Sequence, residues 1–124
     1  MKNVITEISS LSAMGPYSLV VENNGMLFAS GQIGITKDKK LVKGGVEIEF
    51  KIIMQNIKEL LEKAGYKMNE IVKVTLFLSD LKNFQKINEL YEQYFEKPFP
   101  VRTTVQVAKL PLNANIEVEI VAMR

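Results

Sequence analysis

The stretch IVKVTLFLS at residues 71–79 decides the fold, because it has the pattern of a strand that is apolar on both sides. Successive side chains of a strand point to opposite faces, so every second residue shares a face. The two predicted faces are Val72, Val74, Leu76 and Leu78, and Ile71, Lys73, Thr75 and Phe77. Two mostly apolar faces are typical of a central strand that is covered on both sides.

Helical patterns precede and follow this strand. Apolar residues recur at helical spacing over residues 46–64, and Gly65 stands where a C-cap favours glycine. A second helix is predicted over residues 81–95, with Asp80 as its N-cap. The prolines that follow end this helix, since proline disfavours helical backbone in the residue before it.

Strand pairs are predicted at both ends of the chain. Residues 18–22 and 26–33 flank an Asn-Asn-Gly sequence, which is a strong hairpin signal. Residues 102–108 and 116–123 are the last two predicted strands. The order is therefore ββαβαββ, which indicates an α+β fold with two helices on one face of a mixed sheet.

Two helices cannot cover both faces of so apolar a sheet. The candidates for the uncovered face are Met26, Phe28, Phe77, Val105, Val107, Val121 and Met123. An apolar face of this kind marks an association surface, so the sheets of several copies are expected to pack on one another. The alternative is a monomer with a curled sheet.

The composition excludes much of the usual catalytic chemistry. The 124 residues, enough for one domain, include no Cys and no His. That excludes thiol nucleophiles, imidazole bases and most transition-metal sites. With Asp38 and Asp80 as the only Asp residues, no metal ion is predicted.

Charge and hydropathy indicate neither a nucleic-acid partner nor a membrane. The net charge of the chain is +2, too small to indicate a nucleic-acid partner by itself. The densest run of basic residues, at 37–43, is interpreted as a solvated loop, with a basic docking patch as the alternative. The N-terminus lacks the apolar core of a signal peptide, and no apolar stretch approaches the ~20 residues that span a bilayer. A cytoplasmic location is the default expectation.

Three charged residues, at two places in the chain, are candidates for chemistry. Among 16 basic residues, Arg102 is the internal arginine, and a guanidinium group binds a carboxylate through two parallel hydrogen bonds. A structural salt bridge is the alternative. Glu117 and Glu119 share a strand face, where partial desolvation would raise a carboxyl pKa toward general acid or base work. The alternative is two solvated glutamates opposite cross-strand lysines.

Two loop segments are further candidates. A Gly-Pro step before Tyr17 fixes a turn and presents this side chain rigidly, although a packed tyrosine would look the same. Ser30 and Gly31 lie inside a strand pattern, where glycine often marks the close approach of a ligand or another backbone.

Taken in order, several segments resemble the RidA (YjgF) family of small imine deaminases. The segments that carry the resemblance are GPYS at 15–18, ASGQI at 29–33, NELYEQYF at 88–95, PVRTTVQVAKLP at 100–111 and IEVE at 116–119. They span nearly the whole chain, so the resemblance implies one domain over residues 1–124. It also implies a chorismate-mutase-like fold and a homotrimer with three sites in the clefts between subunits.

The implied reaction is the hydrolysis of reactive 2-imino and 2-enamino acids, such as 2-aminoacrylate, to 2-oxo acids and ammonia without a cofactor. Arg102 would hold the substrate carboxylate and Glu117 would position or activate water, with Tyr17 as the third catalytic residue. The implied substrate-binding residues are Ser30, Gly31, Asn88 and the backbone at Thr104.

The chain departs from the family pattern at two positions. Leu19 stands where the family often has Gln, and Thr104 stands where many members have Cys. The second departure excludes thiol chemistry in this chain. Two other functions stay open, namely a module that senses a small 2-oxo acid without turnover and an RNA-directed endoribonuclease or translation inhibitor.

Overall fold

The computed structural model describes residues 2–124 and arranges them as two helices packed on a mixed sheet. Helix α1 spans Val46–Ala64 and helix α2 spans Phe84–Tyr91. The strands are β1 (Asn3–Ile5), β2 (Glu7–Ile8), β3 (Leu11–Ser12), β4 (Val20–Asn23), β5 (Met26–Ala29), β6 (Ile71–Leu78), β7 (Val101–Gln106) and β8 (Ile116–Met123). The predicted α+β class is confirmed.

The main sheet has the strand order β1-β4-β5-β8-β6-β7. Strands β6 and β7 run parallel, because α2 crosses over between them, and the other neighbours run antiparallel. Strands β2 and β3 form a separate hairpin. The stretch at residues 71–79 therefore supplies an inner strand, as predicted, with β7 at the edge.

Strand β6 buries one face against the helices and leaves the other open. Its most deeply buried residues are Val74, Leu76 and Leu78. A register shift against β8 between Ile71 and Lys73 makes Ile71 buried and Val72 37% exposed. The predicted faces of Ile71 and Val72 are therefore wrong, because a bulge adds one residue and reverses the alternation of side chains.

Helix α1 has the predicted bounds and α2 is shorter than predicted. Gly65 follows α1 with φ 81°, the left-handed C-cap conformation that favours glycine. Before α2, Leu81–Asn83 form a 3-10 turn, and the Asp80 carboxylate accepts a hydrogen bond there at 2.9 Å, which confirms it as a cap. The N–H groups of Gln93 and Tyr94 bond back over three residues instead of four, so the α-helix ends at Tyr91 rather than at residue 95.

The hairpin between β4 and β5 is confirmed. Asn24 and Gly25 have φ values of 51° and 77°, which a two-residue primed turn requires. Strand β5 ends at Ala29, earlier than predicted, and Gln32 beyond it forms an isolated bridge with Val118 of β8. Strands β1, β2 and β3 were not predicted, since pieces of two or three residues are too short to show an alternation.

The sheet face away from the helices is open in the single chain. Phe28, Val105 and Met123 are 49%, 38% and 46% exposed, so the predicted uncovered apolar face is present. The packing of several copies on this face remains a prediction. Within residues 2–124, no helix combines the length and the apolar character that crossing a membrane needs.

Candidate active site

One cavity contains the Glu117 carboxylate. Its volume is about 250 Å³, and Tyr17, Gly31 and Glu117 line it together with apolar residues that include Leu19. We call it the Glu117 pocket. Three of the residues singled out from the sequence therefore lie together at the end of the sheet where β8 begins.

Gly31 lies in close contact with the side chain of Glu117, which would have to shift if residue 31 carried a side chain. A Cβ atom on Gly31 would overlap the Glu117 carboxylate, with the carboxyl carbon 2.9 Å away. The next residue, Gln32, fixes this approach, since its backbone exchanges hydrogen bonds of 2.8 and 2.9 Å with Val118. The predicted close approach at Gly31 is thus explained by a carboxylate of the same chain.

Glu117 is half-buried, and the pKa of its carboxyl group is raised. Burial raises the pKa of its carboxyl group, and the charge of nearby Glu119 raises it further. Phe77 and Thr75 lie opposite the two glutamates on β6, so the cross-strand lysines of the alternative are absent there. A carboxyl group with a raised pKa is suited to exchanging protons near neutral pH.

Ser30 and Tyr17 border the same region. The Ser30 hydroxyl donates to the carbonyl oxygen of Ser18 at 2.7 Å, which ties β5 to the loop before β4. The Tyr17 backbone N–H bonds to the Gly15 carbonyl at 2.8 Å, and its hydroxyl accepts from the Met14 N–H at 3.3 Å. Tyr17 is 45% exposed, so its turn holds an accessible ring at the pocket.

A second cavity contains Arg102. Its volume is about 300 Å³, and its lining includes Asn88, Tyr91, Phe99 and Arg102. We call it the Arg102 pocket. Asn88 and Tyr91 lie one helical turn apart on α2, and Arg102 comes from β7, so strand and helix build this pocket jointly.

The Arg102 guanidinium group lies over two aromatic rings and has no charged partner within hydrogen-bond or ion-pair distance in the described chain. Its Cζ atom is 4.8 Å from the ring centroid of Tyr91 and 5.6 Å from that of Phe84. Neither a hydrogen bond nor an ion pair joins it to any of residues 2–124, whose ion pairs are formed by Lys82 and Lys86. The salt bridge proposed as the alternative role is therefore not formed within the described chain.

The two pockets lie on opposite faces of the sheet. Strand β6 pairs Phe77 with both Glu117 of β8 and Val105 of β7, so these three side chains share the open face. Arg102 precedes Val105 by an odd number of positions and projects toward α2, where it contacts Tyr91. One chain therefore does not bring Arg102 and Glu117 together.

Thr104 lies on the same side of β7 as Arg102. It pairs with the buried Leu76 on β6, and its Oγ1 atom is buried without a hydrogen-bond partner among residues 2–124. The structure thus groups Arg102 with Asn88 and Thr104, and Glu117 with the loop residues.

The sequence reasoning missed the aromatic walls of the Arg102 pocket. Phe84 and Tyr91, whose rings contact Arg102, fall within the helix predicted over residues 81–95 and were not singled out as site residues. The signal that would have found Tyr91 is its spacing from Asn88, since residues three apart share a helical face.

The fold and the two pockets define a small α+β protein with an unpaired arginine and a half-buried glutamate. The chain matches the family model described as endoribonuclease L-PSP over residues 7–124. It is 50% identical over 114 residues to a RutC family protein of Aquifex aeolicus, which covers 90% of each chain. It is 40% identical to human 2-iminobutanoate/2-iminopropanoate deaminase, covering 100% of this chain and 91% of that one.

Solved structures agree with these matches. The crystal structure of E. coli TdcF with bound serine has a TM-score of 0.89 at 34% identity, covering 98% of this chain and 99% of that one. The chain belongs to the RidA (YjgF) family. Deamination of reactive imino acids is therefore a function found by name in this family.

Proposed function

We propose that this chain is a cofactor-independent deaminase of reactive 2-imino and 2-enamino acids, which it hydrolyses to 2-oxo acids and ammonia. The observation that carries the proposal is the unpaired guanidinium group of Arg102 in an aromatic-walled pocket. A half-buried cation without a partner is unfavourable unless an anion joins it. The planar carboxylate of a 2-imino acid fits a guanidinium fork through two charge-assisted hydrogen bonds.

A 2-enamino acid first takes up a proton from water on C3 and loses one from nitrogen, which makes it the 2-imino acid. The reaction then needs no strong nucleophile, because the imine carbon is already electrophilic. Water adds to this carbon, the C–N bond then breaks, and ammonia leaves as the carbonyl forms. Glu117 accepts a proton from the attacking water and passes it to the imine nitrogen, which gives an intermediate with a hydroxyl and an amino group on the same carbon. Glu117 then accepts the proton of that hydroxyl group and passes it to the nitrogen, so that the C–N bond breaks and ammonia leaves. The raised pKa of Glu117 supports this role, since a base titrating closer to neutral pH can both take and give the proton.

The complete site is formed between copies of the chain. Arg102 and Glu117 lie on opposite sheet faces in one copy, so a carboxylate on Arg102 reaches a water on Glu117 only if the two residues come from different copies. The open apolar face supplies a surface for that association. A homotrimer with three sites in its clefts, as the family resemblance implies, satisfies both requirements.

The small-molecule ligand class has further support from the relatives. The human relative is named for imino acids, and the TdcF structure holds serine, an amino acid with the carboxylate that Arg102 would bind. In this site Tyr17, Ser30 and Gly31 would line the Glu117 side, and Asn88 with the Thr104 backbone the Arg102 side.

The test is the release of ammonia and 2-oxo acid from enzymatically generated 2-aminoacrylate, measured above the spontaneous rate. We expect the unaltered chain to accelerate hydrolysis and Arg102→Lys to lose most of the acceleration, because an ammonium cannot form the fork. Calorimetry with 2-oxobutanoate accompanies the assay. Binding without any acceleration would contradict the deaminase and support the sensing module.

RNA cleavage is a second candidate, because the matching family model is described as an endoribonuclease. The net charge of +2 and the absence of His make it the weaker one. Cleavage of RNA by purified protein that persists in Arg102→Ala would favour this function over deamination.

A further inference from the structure

The Arg102 side chain is held by aromatic faces. Its guanidinium group lies over the rings of Tyr91 and Phe84, both from α2, with the Cζ atom 4.8 and 5.6 Å from the two ring centroids. A cation over a ring face at such distances is attracted by the quadrupole of the ring. Within residues 2–124 no hydrogen bond or ion pair to a carboxylate orients Arg102, although Glu92 lines the same pocket.

The ring of Tyr91 is itself fixed in place. Tyr91 is 5% exposed and stacks on Phe95, with ring centroids 4.4 Å apart and planes 27° from parallel. Its hydroxyl group is buried without a hydrogen-bond partner in the described chain, and burial raises its pKa, so the group stays neutral. The contacts of Tyr91 are therefore made by its ring faces, with Phe95 on one and Arg102 on another.

We propose that Tyr91 is a positioning residue for Arg102. The ring of Tyr91 holds the guanidinium group of Arg102 so that the N–H edge of this group stays free for the carboxylate of the ligand. Phe84 assists from the more exposed outer side. This inference rests on the proposed function, since it concerns how that function's ligand is held.

A ring serves this purpose better than an acidic partner. A carboxylate beside Arg102 would occupy the fork and cancel its charge, whereas a ring face leaves all of the N–H donors free. A long side chain that is already ordered also loses less conformational entropy when the ligand binds. Tyr91 is therefore expected to tighten ligand binding and to leave the chemical step unchanged.

The experiment observes the arginine side chains directly. Arg102 and Arg124 are the arginines of the chain, so a ¹⁵N-labelled sample gives two Nε–H signals, which Arg102→Lys assigns. We expect Tyr91→Leu to remove the ring-current shift of the Arg102 signal and to increase its mobility on the ps–ns timescale. Tyr91→Phe keeps the ring and is expected to keep both properties.

The matched control is Tyr66→Leu. Arg124 lies over the Tyr66 ring with its Cζ atom 4.3 Å from the centroid, so this variant is expected to move only the Arg124 signal. Phe84→Leu, at a 40% exposed position, replaces Tyr91→Leu if the latter does not fold, with a smaller change of the Arg102 signal.

The functional readout is the dissociation constant of 2-oxobutanoate together with kcat. We expect Tyr91→Leu to raise the dissociation constant and KM by about three- to tenfold, the range of a cation–π contact, while kcat changes by less than about twofold. Tyr91→Phe is expected to restore the affinity.

The outcomes separate this inference from the proposed function. An unchanged Arg102 signal in Tyr91→Leu contradicts the positioning role, whether or not the chain is a deaminase. A shifted signal with unchanged affinity for 2-oxobutanoate also contradicts it. If the unaltered chain neither binds 2-oxobutanoate nor releases ammonia, the proposed function fails, and the positioning role for its ligand fails with it, even if the signals show the contact between ring and arginine.

Discussion

Two corners of the molecule place an arginine over a tyrosine ring, and they differ in what surrounds the pair. In the Arg124 corner, Arg124 lies 4.3 Å from the Tyr66 ring centroid and donates a hydrogen bond to the Gly65 carbonyl at 2.7 Å. The Tyr66 hydroxyl donates to the Glu22 carboxylate at 3.2 Å. Each side chain of this corner therefore has a polar partner.

In the Arg102 corner the corresponding groups have none. Arg102 lies 4.8 Å from the Tyr91 ring centroid, yet across residues 2–124 its guanidinium group finds no acceptor and the Tyr91 hydroxyl finds no partner. The arginine and the tyrosine thus both have polar partners in the Arg124 corner, whereas in the Arg102 corner the guanidinium group remains available to an anion. Unpaired polar groups, rather than the residue types, distinguish the candidate site.

The largest expected difference between the corners is in activity when each arginine is removed. Arg102→Ala is expected to lower kcat/KM for 2-aminoacrylate by about a hundredfold or more, because two charge-assisted hydrogen bonds to the carboxylate are lost. Arg124→Ala is expected to keep the activity and to lower the free energy of unfolding by about 1 kcal/mol, through its lost hydrogen bond and ring contact. Equal losses of activity in the two variants would break the comparison.

A second comparison joins the glutamate of the Arg124 corner, Glu22, to the glutamate of the Glu117 pocket. Glu22 accepts hydrogen bonds from Tyr66 and Asn3, whereas Glu117 accepts none from the described residues. Glu117→Gln is expected to lower kcat by about a hundredfold, the usual scale of general acid–base catalysis, with a smaller effect on 2-oxobutanoate affinity. Glu22→Gln serves as the control and is expected to retain kcat. Unchanged turnover in Glu117→Gln would remove this residue from the mechanism.

A smaller effect is expected on the pH dependence of kcat when Glu119, the neighbour of Glu117, is replaced. The charge of Glu119 helps to raise the pKa of Glu117, so Glu119→Gln is expected to lower that pKa. Since the carboxylate form is the base, the acid limb of the kcat profile rises with pH and is expected to move to lower pH in this variant. A limb that stays in place would show that Glu117 does not set it.

The smallest expected effects are on stability when the two tyrosine hydroxyl groups are removed. Tyr66→Phe loses the hydrogen bond to Glu22 and is expected to lower the free energy of unfolding by about 1 kcal/mol. Tyr91→Phe removes a buried hydroxyl that has no partner within residues 2–124 and is expected to be neutral or stabilising. Denaturant unfolding of both variants measures the difference, and a larger loss in Tyr91→Phe would show a partner for its hydroxyl.

Much of the fold could be predicted because its signals are local. The period of the apolar residues in α1, the glycine at its end and the Asn-Asn-Gly turn each act within a few residues. The face of Val72 could not be predicted, since a bulge depends on the register between β6 and β8. Strand β1 exists because it pairs with β4, which is also a long-range property, whereas β2 and β3 pair with each other but are too short to show an alternation.

The candidate site likewise has features that local sequence predicts and features that depend on long-range contacts. The chemistry of Arg102 and Glu117 follows from residue type, and the proximity of Gly31 to Glu117 agrees with its place in the strand pattern. The lack of a partner for Arg102 and its stacking on Tyr91 depend on how α2 crosses β7, which no local pattern contains. The separation of Arg102 from Glu117 likewise follows only from the sheet register.

The central claim is that Arg102 and Glu117 act together only across two copies of the chain. Its most direct test mixes Arg102→Ala and Glu117→Gln, each nearly inactive alone, by unfolding and refolding them together at equal amounts. Random assembly into trimers is expected to give up to about a quarter of the wild-type activity, since a site whose two residues come from different copies is then sometimes intact. If mass spectrometry confirms mixed oligomers and the mixture stays as inactive as its parents, the shared site is contradicted.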